Sequence, residues 1–156
     1  MLYINNIALP EDQQSVIVNG VAAEKVYCNN ELVWEYLPYP TCPGYTLYGD
    51  YFLSDTVITN KSWNEARAMT ESVTVTLGNK TKTATARTLS KSELETLTQE
   101  QRKISENGHA WYWTSTPDDG NYAWYVGDNG DFGSYDGIND SNDDGGARLG
   151  FKNPFI

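Results

Sequence analysis

Apolar and polar side chains alternate along several stretches of the chain, and this pattern predicts antiparallel strands. Residues 72–87, SVTVTLGNKTKTATAR, keep a period of two around a Gly-Asn pair, which predicts a β-hairpin. The runs WYWTST (111–116) and NYAWYV (121–126) flank a Pro-Asp-Asp-Gly turn and predict a second antiparallel pair. A Gly-Asp-Asn-Gly turn at 127–130 leads into a further strand, and ARLGFK at 147–152 predicts the closing strand.

Two segments change to the helical period and carry start signals for helices. Ser62 and Glu65 stand in capping-box spacing, as do Ser90 and Glu93. After the second pair, apolar side chains recur at helical spacing, which predicts one amphipathic helix over about 90–103. Short helices among antiparallel strands predict the α+β class.

Aromatic residues are concentrated in residues 111–126, which hold three of the five tryptophans and three of the eleven tyrosines. If Trp113 faces inward, strand alternation places Tyr112 outside. On the next strand, Tyr125 lies on the face opposite Trp124. Burial in a core explains the tryptophans, whereas an amphipathic tyrosine ring with few rotatable bonds suits an exposed binding surface.

A boundary between two units is predicted at LPYPTCPGY (37–45), where three prolines and a glycine interrupt regular structure. We expect residues 1–38 to form a small β unit and residues 39–156 to form a second domain. In the first unit, VNGV and CNNE are tight-turn signals that predict a β meander. So short a unit buries little surface, and we expect it to lean on a partner chain or on the second domain. The predicted inner face of the meander includes three apolar side chains, Val26, Leu32 and Trp34.

The charge balance narrows the range of partners. The 156 residues carry a formal net charge of −10, which repels phosphate backbones and anionic membranes. No stretch approaches the roughly 20 apolar residues of a membrane span, and the N-terminus has neither a basic region nor an apolar signal core. We therefore expect a soluble protein made in a cytoplasm, with no nucleic-acid partner and no membrane insertion.

The chain has two cysteines, Cys28 and Cys42. Two thiols are too few for a zinc site with four thiolate ligands. Synthesis in a cytoplasm favours two free thiols, and a disulfide between them is the alternative.

The most polar run, residues 136–146, is the candidate metal site. Asp140, Asn142 and Asp144 present oxygens at alternate positions, as in the first half of an EF-hand loop. Phe151 occupies the position where such a loop needs a bidentate Glu, and no helix is predicted on either side. A solvated Asp/Asn/Gly loop is the alternative, so we predict no cofactor and keep Ca²⁺ as an open candidate.

No pattern in the sequence indicates catalysis. The single histidine, His109, has no neighbouring Ser or Cys motif that could supply a nucleophile. P-loop, G-x-S-x-G, H-E-x-x-H and dinucleotide fingerprints are absent from the sequence. Carboxylates are numerous enough for a glycosidase pair, but their separation in space cannot be read from sequence. We therefore interpret the chain as non-enzymatic.

The order of the short motifs resembles the C-type-lectin-like fold in its bacterial and phage forms. SWNEARAM, ARTLSKSELETL, AWYWTST, NYAWYV, DNGDF, a polar loop and ARLGFK follow one another within residues 43–152. Similar proteins include formylglycine-generating-enzyme-like domains and the variable proteins diversified by retroelements. The resemblance implies that Trp113 and Trp124 are framework aromatics and that Arg148 is the arginine of the closing strand.

The chain also departs from the family's patterns. It lacks the paired cysteines of extracellular lectins and the Glu-Pro-Asn, Gln-Pro-Asp and Trp-Asn-Asp motifs for calcium and sugar. It also lacks the active-site cysteine pair of the formylglycine-generating enzymes. These departures argue against calcium-dependent sugar binding and against formylglycine-generating activity.

In the diversified members of the family, exposed residues of this region form the ligand face, which here spans about residues 112–142. Exposed tyrosines would be its anchors. The resemblance thereby implies a set of ligand-binding residues, namely Tyr112, Asp118, Asp119, Asn121, Tyr125, Asp131, Tyr135, Asp136, Asn139 and Asn142.

In the first unit, KVYCNNELVWEY is similar to short segments of tailed-phage structural proteins that accompany attachment to the virion. The two resemblances together imply a virion protein, as a tail-fibre, baseplate or head-decoration component, that displays a C-type-lectin-like domain for host-surface recognition. The implied partners are a host cell-surface protein or glycan and, through residues 1–38, other virion proteins, with the chain as an oligomer within an assembly. Two alternatives stay open: a capsid or tail decoration or cement protein without receptor binding, and a bacterial variable surface-binding protein.

Overall fold

The computed structural model describes residues 2–4, 7–9, 16–18, 21–23, 25–35, 39–104, 111–139 and 145–156. The chain divides into two compact units, Met1–Tyr39 and Pro40–Ile156. Within the described ranges, no helix has the length and apolar character that a membrane crossing requires.

The described strands of the first unit form three separate hairpins. β1 (Leu2–Ile4) pairs with β2 (Ile7–Leu9), β3 (Val16–Val18) with β4 (Val21–Ala23), and β5 (Lys25–Cys28) with β6 (Glu31–Glu35). Asn29 and Asn30 have φ of 52° and 66° in the turn between β5 and β6, so the predicted Asn-Asn turn is confirmed. The continuous meander is wrong, because each pair is its own two-stranded sheet.

Leu32 does not lie on an inner face. It pairs in register with Tyr27, and the two side chains are 47% and 57% exposed. A two-stranded ribbon has no second layer against which to bury such a pair. The side chains of Val26 and Trp34, also predicted to face inward, lie outside the described part of the chain.

The second unit is rich in strands, with three short helices among its described residues. Its helices are α1 (Trp63–Ala68), α2 (Lys91–Glu95) and α3 (Gln99–Arg102). Its strands are β7 (Tyr45–Tyr48), β8 (Tyr51–Ser54), β9 (Ile58–Thr59), β10 (Thr70–Leu77), β11 (Lys80–Thr88), β12 (Trp111–Pro117), β13 (Ala123–Val126), β14 (Phe132–Tyr135), β15 (Gly145–Ala147) and β16 (Leu149–Lys152).

These strands form two five-stranded sheets. The first has the order β10-β11-β16-β8-β7, and the second has the order β14-β13-β12-β15-β9. All neighbours pair antiparallel except β12 and β15, which are parallel. The predicted hairpins β10–β11 and β12–β13 are confirmed, as is the helix start at Ser62 with its capping box. The architecture is α+β in its broad class.

The single helix predicted over 90–103 is wrong, because α2 ends at Glu95 and α3 begins after Thr98. The Thr98 side chain accepts a hydrogen bond from the Gln101 amide at 3.2 Å, and the Thr98 amide donates to the Gln101 side chain at 3.0 Å. This third capping box holds Thr98 in an extended conformation, with φ −69° and ψ 160°, that a continuous helix cannot contain.

The core of the second unit consists of three clusters, and strands contribute to them from both faces. Phe52 belongs to the first cluster, with Phe151, whereas the next residue of β8, Leu53, belongs to the second cluster, with Leu94, which we call the middle cluster. Likewise, Tyr112 belongs to the middle cluster and Trp113 to the third, where α1 packs. β8 and β12 are therefore buried on both faces, and β12 carries the candidate site.

Candidate ligand-binding site

Tyr112 was predicted as an exposed anchor, and this is wrong. Alternation along β12 holds, since Tyr112 and Trp113 face opposite sides of the sheet, but each side chain is only 1% exposed. Leu53 from the first sheet and Leu94 from α2 share the middle cluster with Tyr112. The face expected to be exposed is thus covered by elements distant in sequence.

Tyr112 instead forms part of a buried polar junction with Arg148. The Tyr112 hydroxyl donates to the Arg102 carbonyl at 2.7 Å, and Arg148 Nη1 donates to the same carbonyl at 2.9 Å. Arg148 Nε also donates to the Ser54 carbonyl at 2.8 Å, and the guanidinium lies 5.2 Å from the Tyr112 ring centroid. Burial raises the pKa of the Tyr112 phenol above its ordinary value of 10.0, while the charge of Arg148 opposes this. The junction ties β12 to β8 and to the end of α3.

On the other face of β12, four aromatic rings are in contact. Trp111 is central, with ring centroids 4.9 Å from Trp113, 5.0 Å from Tyr125 and 5.9 Å from Tyr135. Trp113 is buried and its indole N–H donates to the Lys61 carbonyl at 3.0 Å. Trp111 and Tyr125 are half-buried, and Tyr135 is 41% exposed. The cluster therefore runs from the core to the surface.

Two glycines give these rings their positions. A Cβ at Gly133 would stand 2.6 Å from the hydroxyl of Tyr125, and a Cβ at Gly145 would stand 2.2 Å from the indole of Trp111. Both separations are well below van der Waals contact, so each ring lies directly against the backbone of a neighbouring strand.

The exposed end of this cluster opens into a pocket of about 450 Å³, which we call the Trp111 pocket. Trp111 and Tyr125 supply rings, and three polar side chains of the β13–β14 turn stand at its rim. Such a mixture of aromatic walls and a few polar groups is typical of small-ligand sites. The pocket is lined by Trp111, Tyr125, Gly127, Asp128, Asn129, Asp131, Phe132 and Gly133.

The rim of the Trp111 pocket is held in place by its own hydrogen bonds and by α3. The Asn129 side-chain amide donates to Asp131 Oδ2 at 2.9 Å, and the Asp131 backbone N–H donates to Asn129 Oδ1 at 3.0 Å. From α3, Gln99 Nε2 donates to the Asn129 carbonyl at 3.1 Å, and Arg102 Nε donates to the Gly130 carbonyl at 2.9 Å. The carboxylate of Asp131 is thus presented by a braced turn.

Three predicted ligand residues lie at the opposite end of the β12–β13 hairpin. Asp118, Asp119 and Asn121 are exposed in its turn, around a shallow concavity that also includes Tyr122. The Ser134 hydroxyl donates to Asp118 Oδ2 at 2.6 Å. The predicted ligand face is therefore divided between the two ends of this hairpin.

The remaining predicted side chains near the hairpin are separate from the pocket. Trp124 is half-buried on the α2 side of the sheet, with Lys91 Nζ 4.7 Å from its ring centroid. Asp136 and Asn139 are exposed beyond β14, and Asn139 Oδ1 accepts a hydrogen bond from the Asn64 side chain at 2.6 Å.

The predicted metal ligands Asp140, Asn142 and Asp144, and with them the ligand role of Asn142, lie outside the described residues, as does His109. In the part of the chain that the structure covers, no group of three or more His, Cys, Asp or Glu side chains could hold a metal ion. Cys42 is a buried free thiol whose pKa is raised above its ordinary value of 9.0 by burial and then by the Glu71 carboxylate. The Cys28 side chain is not among those described.

Sequence reasoning named Tyr125 and Asp131 among the lining residues of the pocket and missed its other side chains, Trp111, Asp128, Asn129 and Phe132. Strand alternation predicts that Trp111 shares the inward face of Trp113, but as the first residue of β12 Trp111 stands where the sheet ends and stays half-buried. The signal was available, because antiparallel pairing of β12 with β13 places Trp111 beside the Gly-Asp-Asn-Gly turn that follows β13.

Comparison with known proteins adds no relative: no family model, no curated protein and no solved structure matches the chain.

Proposed function

We propose that the chain is a non-enzymatic structural protein of a phage particle, a tail-fibre, baseplate or head-decoration component. In this proposal, Pro40–Ile156 is a C-type-lectin-like domain that recognises a host-surface component, and the first unit attaches the chain to other virion proteins. The domain proposal is supported by the order of the resembling motifs, whose residues form α1, α2, the β12–β13 hairpin and β16. The virion setting is supported by the KVYCNNELVWEY segment.

The observation that carries the recognition role is the Trp111 pocket. Half-buried rings of Trp111 and Tyr125 meet exposed polar side chains around one concavity of about 450 Å³. Aromatic rings supply most of the binding free energy at recognition surfaces because they bury large areas with few rotatable bonds. The rim supplies directional hydrogen bonds that discriminate between ligands.

Two measurements test the proposal. Immunogold labelling of purified particles with an antibody to the chain tests the virion setting, and unlabelled particles would refute it. Binding of fluorescently labelled full-length chain to cells of the particle's host tests recognition. Tyr125→Ala should reduce this binding severalfold, because it removes one wall of the pocket.

Tyr122→Ala is the matched control, since Tyr122 is an exposed tyrosine, 46% accessible, at the other end of the same hairpin. We expect it to bind cells as the unmodified chain does. If Tyr122→Ala abolished binding while Tyr125→Ala left it intact, recognition would belong to the Asp118–Tyr122 turn. If neither substitution changed binding, recognition would belong to another surface of the chain, and if the unmodified chain did not bind host cells at all, it would act as a decoration or cement protein.

A further inference from the structure

The charges around the Trp111 pocket select the class of ligand. Its rim includes the exposed carboxylates of Asp128 and Asp131, and none of its lining residues is Lys or Arg. The chain as a whole carries a formal charge of −10. A ligand group with a net negative charge would meet repulsion there, whereas a cationic group would be attracted.

The arrangement of the rings also favours a cationic ligand. The planes of Trp111 and Tyr125 are tilted by 58° with centroids 5.0 Å apart, so the two rings form adjoining walls. The face of an aromatic ring is the negative end of its quadrupole, and a cation within about 6 Å of the centroid is attracted to it. Tryptophan is the strongest of the aromatic residues in this role.

Two cations lie over Phe132, the third ring of the pocket lining, and neither lies over Trp111 or Tyr125. Arg102 lies 4.6 Å from the Phe132 ring and donates to the carbonyls of Gly130 and Leu97. Lys91 lies over Trp124 and Phe132 and pairs with Glu95. Across the residues that the structure describes, every cation–π contact engages a ring other than Trp111 and Tyr125. Among these residues, no cation therefore competes with a ligand for the exposed parts of Trp111 and Tyr125.

The two ring walls favour an alkylated cation over a primary ammonium. A lysine-type ammonium is compact and strongly hydrated, so it loses much hydration free energy on moving from water to a ring face. A quaternary ammonium is weakly hydrated, and its methyl groups pack on the rings by dispersion as well as by the cation–π attraction. Two ring walls with a carboxylate at the edge match that group.

We infer that the Trp111 pocket binds a quaternary ammonium group of the choline type, carried by a component of the host surface. This inference rests on the proposed function for its setting, and it adds the chemical class of the ligand. Trp111 and Tyr125 contact the methyl groups, and Asp131, oriented by Asn129, neutralises the charge.

The test is titration of the full-length chain with choline chloride, followed by tryptophan fluorescence and isothermal calorimetry. The matched probe is 3,3-dimethyl-1-butanol, which has the shape of choline and no charge. We expect saturable binding of choline and about tenfold weaker binding of the neutral probe, the difference that one good cation–π site makes. Equal binding of the two probes would overturn the inference.

Variants assign the binding to this pocket. Trp111→Leu should abolish choline binding, and Asp131→Asn, a surface change that leaves the rings in place, should weaken it severalfold. Trp124→Leu removes a tryptophan on the opposite face of the sheet and should leave the choline affinity unchanged. Unchanged affinity in both Trp111→Leu and Asp131→Asn would refute the site even if choline bound somewhere on the chain.

Two further probes fix the ligand class and its source. Tighter binding of Nα-acetyl-lysine amide than of choline would overturn the quaternary assignment in favour of a protein side chain. With choline binding established, co-sedimentation with phosphatidylcholine vesicles would identify a lipid headgroup as the source, and its absence would identify a surface polymer.

A chain that binds host cells but not choline refutes this inference alone, whereas one that binds choline but neither particles nor cells refutes the proposed function alone.

Discussion

The indole of Trp111 and the phenol of Tyr125 meet at 5.0 Å between centroids, and each lies against a glycine of the neighbouring strand. Gly145 on β15 lies beneath Trp111, and Gly133 on β14 lies beneath Tyr125. A glycine leaves room for a ring where any other residue would place a Cβ. The positions of these two glycines therefore decide where the rings lie. The shape of the pocket is therefore sensitive to substitutions at the glycines beneath its rings.

Gly133→Ala is expected to disturb the pocket from beneath. The new methyl group would stand 2.6 Å from the Tyr125 hydroxyl, so the ring must turn away or the strands must separate. We expect a loss of about 1–3 kcal/mol in the free energy of unfolding, typical of overpacking, together with a change in tryptophan fluorescence as Trp111 loses its neighbour. Urea denaturation and an emission spectrum measure the two effects.

Ser134→Ala is the control for Gly133→Ala, because Ser134 is the next residue of β14 and is exposed. It removes the exposed hydrogen bond to Asp118 but adds no atom beneath Tyr125, so it should cost less than about 1 kcal/mol in the free energy of unfolding and leave the tryptophan emission unchanged. If Gly133→Ala behaved like Ser134→Ala in both readouts, the packing of Tyr125 against the backbone would not govern the pocket.

Local signals in the sequence predicted local structure because the interactions involved join atoms that are only a few residues apart. The capping box of Ser62 and Glu65 joins atoms three residues apart, and the tight turn at Asn29 and Asn30 needs only residues that tolerate positive φ. Thr98 was missed although its signal has the same form, because it lay inside an apolar helical period. Competing local signals have to be weighed against each other, and the cap was the stronger one here.

The burial of Tyr112 could not be predicted from alternation. Alternation states which residues share a face, and β12 obeys it, but it does not state which faces are covered. Tyr112 is covered by Leu53, 59 positions earlier in the numbering, and by Leu94. The Trp111 pocket has a similar origin, since Trp111 and Asp131 become neighbours only through the register of β12 with β13 and the turn that follows.

The ion pair between Arg87 and Glu93 predicts a defined acid sensitivity. Arg87 Nη2 lies 2.7 Å from Glu93 Oε1, and this contact is the main cause that holds the pKa of the Glu93 carboxyl below its ordinary value of 4.5, with burial opposing it. The pair therefore stabilises the fold above about pH 4.5, and the contribution is lost as the pH falls through the lower pKa of the folded state. Because the pair is partly exposed, we expect it to be worth about 1 kcal/mol or less.

Glu93→Gln isolates this contribution, because glutamine can still accept the capping hydrogen bond from the Ser90 amide while it lacks the charge. The variant should be less stable than the unmodified chain at pH 7, and this deficit should be smaller at pH 3, as measured by urea denaturation at each pH. Glu95→Gln, which removes the exposed partner of half-buried Lys91, is the comparison and should show a smaller difference. A constant deficit for Glu93→Gln at both pH values would argue against an electrostatic origin.

Removal of the Arg148 guanidinium should be among the most damaging single substitutions. Arg148 is 3% exposed and donates to the carbonyls of Ser54 and Arg102, which lie on different elements. Arg148→Met leaves both carbonyls without this donor, and we expect a loss of about 3 kcal/mol or more in the free energy of unfolding. Arg67→Met, which removes an exposed arginine 4.6 Å from the Trp63 ring, should cost no more than about 1 kcal/mol. Similar losses for the two variants in chemical denaturation would mean that the buried junction does not hold the elements together.

Gly130 and Gly120 form a matched pair that tests whether α3 braces the pocket rim. Both have positive φ, 84° and 58°, so alanine pays a conformational penalty of roughly 1 kcal/mol at either site. At Gly120 nothing lies within 4 Å of the added Cβ, whereas at Gly130 the Cβ would stand 2.2 Å from the Gln99 backbone carbonyl. Gly130→Ala must therefore push the β13–β14 turn away from α3, with a further cost of about 1–3 kcal/mol.

That displacement would also carry Asn129 and Asp131 away from the rings, so Gly130→Ala should weaken choline binding severalfold beyond any effect of Gly120→Ala. Calorimetric titration of both variants under conditions where each is fully folded separates the loss of rim geometry from the loss of stability. Equal affinities in the two variants would show that the rim keeps its position without α3, and the discrimination between charged and neutral probes would then depend on the rings alone.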